Sequence, residues 1–305
     1  MKQIRTDLAM ELSDHAGKIP GVSIANWEES GVQITEVVIE NDVAAKALGK
    51  ASGRYLTLEC EGVRSRDPMA YTALSGILAE ELMRLLPLDE SNRPYLIVGL
   101  GNRMVTPDAL GPKTVDNILV TRHLINELPG ETDERLSSVC CLAPGVLGIT
   151  GIETMENVRA VASIVKPKAV ICIDALSARA VRRVGVSIQL SDTGIQPGSG
   201  VGNHRRAITK ESLGVPVIAI GMPTVVYAST IARDALYSMS EGECDEETLD
   251  RIIESLFESE IGEMIVTPRE IDDMIMDAAG LIARAINSAL QDRLSESELD
   301  GLLKR

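Results

Sequence analysis

Short apolar runs alternate with amphipathic segments along the middle of the chain. Runs of about four to eight residues rich in Val and Ile predict buried strands, whereas apolar positions that recur at helical spacing predict helices. The strands predicted in this way comprise residues 95–100, 138–142, 168–173, 184–190 and 215–220. The helices predicted between them comprise residues 109–128, 151–165 and 223–239. Strands that alternate with helices in this manner predict an α/β fold with a mostly parallel, doubly wound sheet flanked by helices.

Further strands and helices are predicted on both sides of this central pattern. The strands comprise residues 35–39 and 55–60, and the helices comprise residues 68–86, 247–258 and 268–294. We predict irregular structure ahead of the first strand. Residues 241–247 form an acidic segment that interrupts the helical pattern. We therefore predict one domain over residues 1–305, in which N-terminal strands and an acidic helical part at residues 241–305 are added to an α/β core at residues 93–240.

Two of the apolar strands each lead into an acidic residue. Tyr95-Leu-Ile-Val-Gly-Leu-Gly101 is followed by Asp108 at the start of a predicted helix, and Ala169-Val-Ile-Cys-Ile173 ends directly on Asp174. In an open α/β sheet, the carboxyl ends of parallel strands meet at one crevice, where ligands bind. Two carboxylates that share a proton there can activate a water, so the pair predicts hydrolysis.

Both aspartates also have structural interpretations, which the sequence leaves open. Asp108 fits an acid in the first turn of a helix, where the helix dipole favours negative charge. Asp174 fits a residue that ends a strand and caps the following turn. If the pair is catalytic, the helix start favours the charged form of Asp108, and burial favours a raised pKa for Asp174.

Composition limits the compartment and the partners. The net charge of −15 argues against direct binding of nucleic acid or of an anionic membrane surface. The five cysteines are odd in number and lie mostly in apolar runs, which indicates buried thiols rather than a disulfide framework. The N-terminus has no apolar segment of a signal peptide, and no run reaches the ~18 apolar residues of a membrane span. We expect a soluble, cytoplasmic protein.

Two glycine-rich segments invite a cofactor interpretation that their spacing does not support. Gly99-Leu-Gly101 has Met104 where a dinucleotide fingerprint requires a third glycine or alanine. The segment Gly194–Asn203 lacks the Lys-Ser/Thr ending of a P-loop. We therefore expect no cofactor.

The second of these segments has a possible catalytic role. Its backbone N–H groups, above all those of Gly198, Ser199, Gly200 and Asn203, can form a nest for an oxyanion. The alternative is a flexible crossover loop, and the spacing does not distinguish the two. Asn102 and Asp192 are further candidates to line the crevice.

Other hydrolytic chemistries lack their residues. Asp192-Thr-Gly194 matches the signature of pepsin-like proteases, but those enzymes are almost entirely β and carry a second copy that this chain lacks. The chain has no Gly-x-Ser-x-Gly elbow and no His-Glu-x-x-His helix. Cys140 and Cys141 are adjacent and therefore point to opposite faces of a strand, as packing residues do. The three histidines are dispersed along the chain, so we expect no metal site.

Nine motifs, in order from the N-terminus to the last long helix, carry a family resemblance. They are Arg5-Thr-Asp-Leu-Ala9, Gly53-Arg-Tyr-Leu-Thr-Leu-Glu59, Leu96-Ile-Val-Gly-Leu-Gly-Asn102, Val105-Thr-Pro-Asp-Ala-Leu-Gly-Pro112, Ala143-Pro-Gly-Val-Leu-Gly-Ile-Thr-Gly-Ile-Glu153, Ile173-Asp-Ala-Leu-Ser-Ala-Arg-Ala180, Ser191-Asp-Thr-Gly-Ile-Gln-Pro-Gly-Ser-Gly-Val-Gly-Asn203, Gly214-Val-Pro-Val-Ile-Ala-Ile-Gly-Met-Pro-Thr-Val-Val226 and Met264-Ile-Val-Thr-Pro-Arg-Glu270. With these motifs the chain resembles the germination proteases of endospore-forming bacteria.

The resemblance implies a fold, an activity and a place of action. The fold is a sheet similar to that of hydrogenase-maturation endopeptidases. The activity is that of an endopeptidase that degrades small acid-soluble proteins, which coat DNA in the spore core, during germination. The acids of the two family motifs map onto Asp108 and Asp174, so the resemblance implies that these are the catalytic aspartates.

The resemblance also implies activation from a zymogen and a homo-oligomer. The self-cleavage site of the family maps between Asp7 and Leu8, which makes residues 1–7 the propeptide. The chain departs from the family in a shorter segment before Arg5 and an abbreviated region after Met239. Two other functions stay open: a metal-dependent maturation peptidase of the same fold, and a latent or non-catalytic peptide-binding protein.

Overall fold

One mixed sheet of nine strands forms the centre of the molecule. The computed structural model describes residues 6–16, 19–87, 93–128, 130–198, 205–239 and 264–303. The strands are β1 Val22–Glu29, β2 Val32–Ile39, β3 Gly53–Glu59, β4 Tyr95–Gly99, β5 Val139–Leu142, β6 Ala169–Ala178, β7 Ser187–Ser191, β8 Val217–Tyr227 and β9 Ile265–Val266. The α-helices are α1 Ala9–Ala16, α2 Asp42–Leu48, α3 Pro68–Leu85, α4 Leu110–Val115, α5 Arg122–Glu127, α6 Leu147–Thr150, α7 Thr154–Val165, α8 Lys210–Leu213, α9 Ala228–Met239, α10 Ile271–Leu290 and α11 Glu296–Leu303.

The strand order divides the sheet into a parallel and an antiparallel part. The order is β1-β2-β3-β7-β8-β6-β4-β5, and β9 pairs with β8. The pairs β4–β5, β4–β6 and β6–β8 are parallel, whereas β7 joins β8 and β3 antiparallel. The link from β6 to β7 is shorter than the dozen or so residues that a parallel crossover needs, so β7 runs in the opposite direction. The α/β class is confirmed, and its parallel part is limited to four strands.

Two strands continue beyond their predicted ends. β6 runs through Asp174 to Ala178, and its outer half pairs with β8 from Gly221 to Val226. The prediction that the strand ends at Ile173 is therefore wrong, as is a helix beginning at residue 223. Helix α9 begins only at Ala228. Mutual pairing satisfies the backbone groups of both extensions, and the β-branched side chains of β8 suit a strand.

The long helix predicted at residues 109–128 is broken. Helix α4 ends at Val115, and α5 begins at Arg122. Between them the Leu119 N–H donates to Asn287 Oδ1 over 2.9 Å, and the Thr121 N–H donates to the Val139 carbonyl over 3.0 Å. These long-range hydrogen bonds replace helical ones, and local periodicity carries no signal of them.

The opening of the chain is predicted as irregular, but its described residues form regular elements. It contains α1 and β1 ahead of the first predicted strand, and α2 lies between the two predicted strands. Helix α2 is capped by Asn41, whose Oδ1 accepts from the N–H groups of Val43 and Ala44 at 3.1 and 2.9 Å. It ends at Gly49 in a left-handed conformation, φ 67°. The predicted acidic break at residues 241–247 and helix at residues 247–258 lie outside the described residues.

Side chains on the two faces of the sheet form separate apolar cores. Helices α3, α4 and α10 cover one face, where residues such as Ile97, Ile171 and Ile220 are buried. On the other face, α7 packs against β4 and β6. Cys141 contacts the first core and Cys140 the second, which confirms their predicted role as strand packing. The four described cysteines are unpaired thiols, as predicted, and Cys244 lies outside the described residues.

Asn287 of α10 connects the helical face to the loop between α4 and α5. Its side chain is 3 % exposed. Besides accepting from Leu119, its amide donates to the Asn117 carbonyl over 3.0 Å. If a buried N–H loses its acceptor, the folded state loses about 1–3 kcal/mol of stability.

We expect Asn287→Ala to lower the free energy of unfolding in urea by about 1–3 kcal/mol, because the N–H of half-buried Leu119 loses its acceptor. The control is Asn26→Ala on the exposed strand β1, where the exposed Asn26 side chain accepts a hydrogen bond from the Thr35 hydroxyl. The control should stay within about 0.5 kcal/mol of the unchanged chain. An equal decrease in the free energy of unfolding in both variants would show that the hydrogen bonds of Asn287 make no specific contribution.

Candidate active site

A cleft of about 1120 Å³ lies where β4, β6 and β8 pass the turn that holds Asp108. Asp108 and Asp174 both line it, as do Thr6 and Asp7 of the N-terminal segment. The two predicted aspartates therefore come together in one cavity, although they are far apart in sequence.

Asp108 ends a short 3₁₀ turn, Thr106–Asp108, rather than beginning a long helix. The turn is held in place by Thr224, whose hydroxyl donates to the Pro107 carbonyl over 2.7 Å. The Asp108 Oδ2 accepts from the Asn102 N–H over 2.8 Å. Gly101 has φ 112°, and a Cβ there would lie 2.0 Å from the Asp108 carbonyl oxygen. A glycine at this position therefore allows the turn to approach β4.

Asp174 lies in the middle of β6 and is 6 % exposed. Its Oδ1 accepts from the Ala175 N–H over 3.0 Å. In the sheet it is aligned with Gly221 of β8, and Gly221 is aligned with Gln189 of β7. Asp174 and Gln189 thus belong to one row across three adjacent strands, with a glycine between them.

Burial and charge make both carboxyls weaker acids than free aspartate. Burial raises the pKa of Asp108, although the hydrogen bond from Asn102 opposes this change. Burial also raises the pKa of Asp174 well above its ordinary value, and the negative charges of Asp108 and Asp7 raise it further. The raised pKa predicted for Asp174 is confirmed. The charged form expected for Asp108 is not the favoured one, because burial raises the pKa of this carboxyl.

The N-terminal segment follows β6 across the cleft. The Asp7 N–H donates to the Ser177 carbonyl over 3.0 Å. The Asp7 Oδ2 accepts from the Ser177 N–H at 2.9 Å and from its hydroxyl at 3.2 Å. Leu8 and Ala9 are completely buried, at 0 and 1 % exposure. The segment therefore binds the sheet partly as an added strand does, with its main chain and one acidic side chain engaged.

Two side chains converge on the carbonyl oxygen of the Asp7–Leu8 peptide bond. Lys50 Nζ lies 2.8 Å from this oxygen, and Gln189 Nε2 lies 3.0 Å from it. The Gln189 Oε1 also accepts from the Ala9 N–H over 2.8 Å. Gln189 thus holds the chain on both sides of that bond.

Sequence reasoning missed Lys50, Gln189 and Ser177. The only signal in the sequence is that Gln189 is a large polar residue inside a strand that is otherwise apolar or small.

A buried ion pair fastens helix α1 beside the cleft. Glu11 is 1 % exposed, and its Oε1 accepts from Arg183 Nη1 over 2.8 Å. The same oxygen accepts from the Ala180 N–H over 2.9 Å, and Oε2 accepts from the Arg179 N–H over 2.7 Å. Thr6 donates its hydroxyl to Glu11 as well. This network fixes the residues on both sides of Asp7 and Leu8.

The remaining predicted site residues have mixed placements. Gly198 lines the cleft with φ 72°, whereas Ser199, Gly200 and Asn203 lie outside the described residues. Asn102 contributes its backbone N–H to Asp108 and uses its side chain to accept from the Met104 N–H over 3.0 Å. Asp192 is exposed, does not line the cleft, and accepts from the Arg54 N–H over 2.8 Å.

The described residues offer little support for a thiol nucleophile or a metal site. Burial raises the pKa of Cys141 to about 12 and also raises the pKa of Cys140 and Cys172, which disfavours a thiolate nucleophile. Within the residues that the structure describes, no group of three or more His, Cys, Asp or Glu side chains is arranged to hold a metal ion.

Among the described residues, every helix is too short or too polar to cross a bilayer.

Comparison with solved structures gives one weak match to report. The NiFe hydrogenase maturation protease HycI from Thermococcus kodakarensis matches with 16 % identity and a TM-score of 0.34, covering 68 % of this chain and 98 % of that one.

Sequence comparisons give stronger matches. A germination protease of Clostridium tetani is 41 % identical over 98 % of this chain and 99 % of its own length. One from Caldanaerobacter subterraneus is 45 % identical, over 98 % of each chain. One from Bacillus cereus is 38 % identical, over 96 % of this chain and 95 % of its own. The sequence model of the germination protease family matches residues 1–241. Because that match covers most of the chain and the relatives align almost end to end, this protein is a protease that belongs to the germination protease family.

Proposed function

We propose that the protein is an endopeptidase that hydrolyses small acid-soluble, DNA-coating spore proteins during germination, with Asp108 and Asp174 activating the attacking water. The observation that carries this proposal is the meeting of these two carboxyls in one cleft, where the pKa of each is raised. Membership of the germination protease family supports the biological setting.

In the proposed mechanism, the two aspartates share one proton. Asp174 has the stronger cause for a raised pKa, so it carries the proton and polarises the scissile carbonyl. Asp108 is ionised and takes a proton from water as general base. The water oxygen attacks the carbonyl carbon, the C–N bond breaks, and a proton passes to the leaving nitrogen. Because the carboxyls interact, their two titrations belong to the pair.

The protein is further proposed to be a self-cleaving zymogen that cuts between Asp7 and Leu8. The position of Thr6 and Asp7 in the cleft supports this proposal, because Asp7 lies close enough to Asp174 to affect its pKa. While the segment remains there, it occupies the space that a substrate needs. Removal of residues 1–7 would open the cleft.

Charge and exposed surface support the proposed setting and assembly. At a net charge of −15, DNA phosphates repel the protein, so it acts on its substrate in the spore core without binding DNA itself. A homo-oligomer is proposed as well. Strand β1 supports it, because this edge strand is exposed along most of its length and presents Ile24 and Trp27.

Replacing either aspartate should stop cleavage. We expect Asp108→Asn and Asp174→Asn, each in the form that starts at Leu8, to digest a small acid-soluble spore protein at least about 100-fold more slowly, since each loses a proton-transfer group. Asp192→Asn is the matched control, because Asp192 is exposed outside the cleft and asparagine keeps its acceptor for Arg54. Rates of digestion are followed by mass spectrometry. Near-normal cleavage by either cleft variant would remove that residue from the mechanism.

The raised pKa of Asp174 also has a consequence for stability. A carboxyl with a raised pKa in the folded state contributes stability below its unfolded pKa of about 3.9, and this is lost as pH rises through the folded pKa. We expect Asp174→Asn to increase the free energy of unfolding at neutral pH by more than about 1 kcal/mol, because one pKa unit equals about 1.4 kcal/mol. The increase should vanish below about pH 4.

Urea unfolding at a series of pH values measures this effect, with Asp192→Asn as the control. A destabilised Asp174→Asn variant at neutral pH would contradict the raised pKa.

A further inference from the structure

The peptide bond between Asp7 and Leu8 has two side-chain donors on its carbonyl oxygen, which is more than anchoring of the segment requires. Its carbonyl oxygen accepts two side-chain hydrogen bonds, from Lys50 at 2.8 Å and from Gln189 at 3.0 Å. Two donors within hydrogen-bond distance of one carbonyl oxygen are placed to hold the oxyanion that forms from it. One of the two donors is a lysine, and a protonated lysine makes a stronger hydrogen bond than a neutral donor does.

Two different elements of the fold supply the two donors. Lys50 follows the left-handed Gly49 at the end of α2, and its N–H donates to the Ala45 carbonyl over 3.1 Å. Gln189 projects from β7 on the same row as Asp174, with Gly221 of β8 between them. With strands about 4.8 Å apart, the two backbones are separated by roughly 10 Å. The carbonyl of Asp7 therefore lies on the face of the sheet that also carries Asp174.

The surroundings of Lys50 determine how it acts on a developing negative charge. The side chain is partly buried and lines the cleft together with both aspartates. Burial lowers the pKa of Lys50, and the Asp7 carboxylate opposes this change. In a site that excludes water, a fixed positive charge stabilises an oxyanion more than it would in solvent.

We propose that Lys50 and Gln189 form the oxyanion site for self-cleavage at the Asp7–Leu8 bond. The proposal rests on the function proposed above, in which the chain cuts itself there. A water oxygen bonds to the Asp7 carbonyl carbon, and the carbonyl oxygen becomes an oxyanion held by the two donors. The C–N bond then breaks and the Leu8 nitrogen takes a proton. The products are a carboxyl on Asp7 and an amine on Leu8.

Gln189 makes a second hydrogen bond to the segment, so its substitutions can separate anchoring from stabilisation of the oxyanion. Its Oε1 accepts from the Ala9 N–H and so anchors the chain after the bond. Gln189→Glu keeps that acceptor and the shape of the side chain but removes the donor to the Asp7 carbonyl. Gln189→Met removes both. If the donor stabilises the oxyanion, Gln189→Glu slows cleavage even though the segment stays anchored.

The experiment measures self-cleavage of the full chain as a first-order rate of appearance of the Leu8 N-terminus, by mass spectrometry. The variants are Lys50→Met, Gln189→Glu and Gln189→Met, and the control is Lys46→Met on the exposed side of α2. Hydrogen exchange at residues 6–9 of the uncleaved chain reports whether the segment is still bound. Urea unfolding confirms that each variant is folded.

We expect Lys50→Met and Gln189→Glu each to slow self-cleavage by about 100-fold, since loss of one oxyanion donor costs about 100- to 1000-fold, while exchange protection at residues 6–9 is retained. Lys46→Met should match the unchanged chain. A loss of less than about tenfold, or a loss accompanied by equal loss of protection, overturns the proposal and leaves the two residues as anchors.

Failure of the proposed function gives a different result from failure of this inference. If the unchanged chain and Lys46→Met do not cut between Asp7 and Leu8, the self-cleavage itself is absent. If both cut and Lys50→Met and Gln189→Glu cut as fast, self-cleavage stands and the oxyanion assignment is wrong.

Discussion

Burial of a carboxyl in the middle of a strand is the constraint on which the cleft depends. Asp174 is 6 % exposed in β6, between β4 and β8. A buried carboxylate is costly unless it is neutral or well hydrogen-bonded. Here the charges of Asp108 and Asp7 add to the cost of ionisation. The site therefore favours a proton on Asp174 at pH values where a free aspartate has lost it.

The N-terminal segment fits this arrangement because residues of the sheet form hydrogen bonds with its polar groups. Ser177 binds the side chain and the main chain of Asp7, and Gln189 binds the groups on both sides of the next peptide bond. Glu11 and Arg183 then fix the following helix. A buried ion pair of this kind adds little net stability, because both charges lose their hydration. The effect is to hold one particular peptide bond over the face of the sheet that carries Asp174.

The mixed sheet explains why these groups meet. Because β6 and β8 continue past the point where a short parallel strand would end, Asp174 lies inside the sheet and the N-terminal segment can pair with the outer half of β6. Because β7 runs antiparallel beside β8, Gln189 is aligned with the same row. A wholly parallel sheet would send β7 through a crossover and would not give this short connection.

The sequence by itself determined the α/β class, most of the strands of the core, the long helix α10 and the family. These follow from apolar periodicity and from motifs that are local in the chain. The aspartate pair was also found from sequence, since strand ends in such sheets point to one crevice. The capped helix α2 was missed although Asn41 and Gly49 are the signals of its start and end.

Tertiary structure alone decided the break after α4, the continuation of β6 and β8, and the row that joins Asp174 to Gln189. It also decided that Lys50, Gln189 and Ser177 surround Asp7. Each of these results depends on hydrogen bonds or pairing between residues distant in sequence, such as Leu119 with Asn287 and Lys50 with Asp7. Local propensity carries no information on such partners, because a backbone group is satisfied equally well by any donor or acceptor that the fold brings to it.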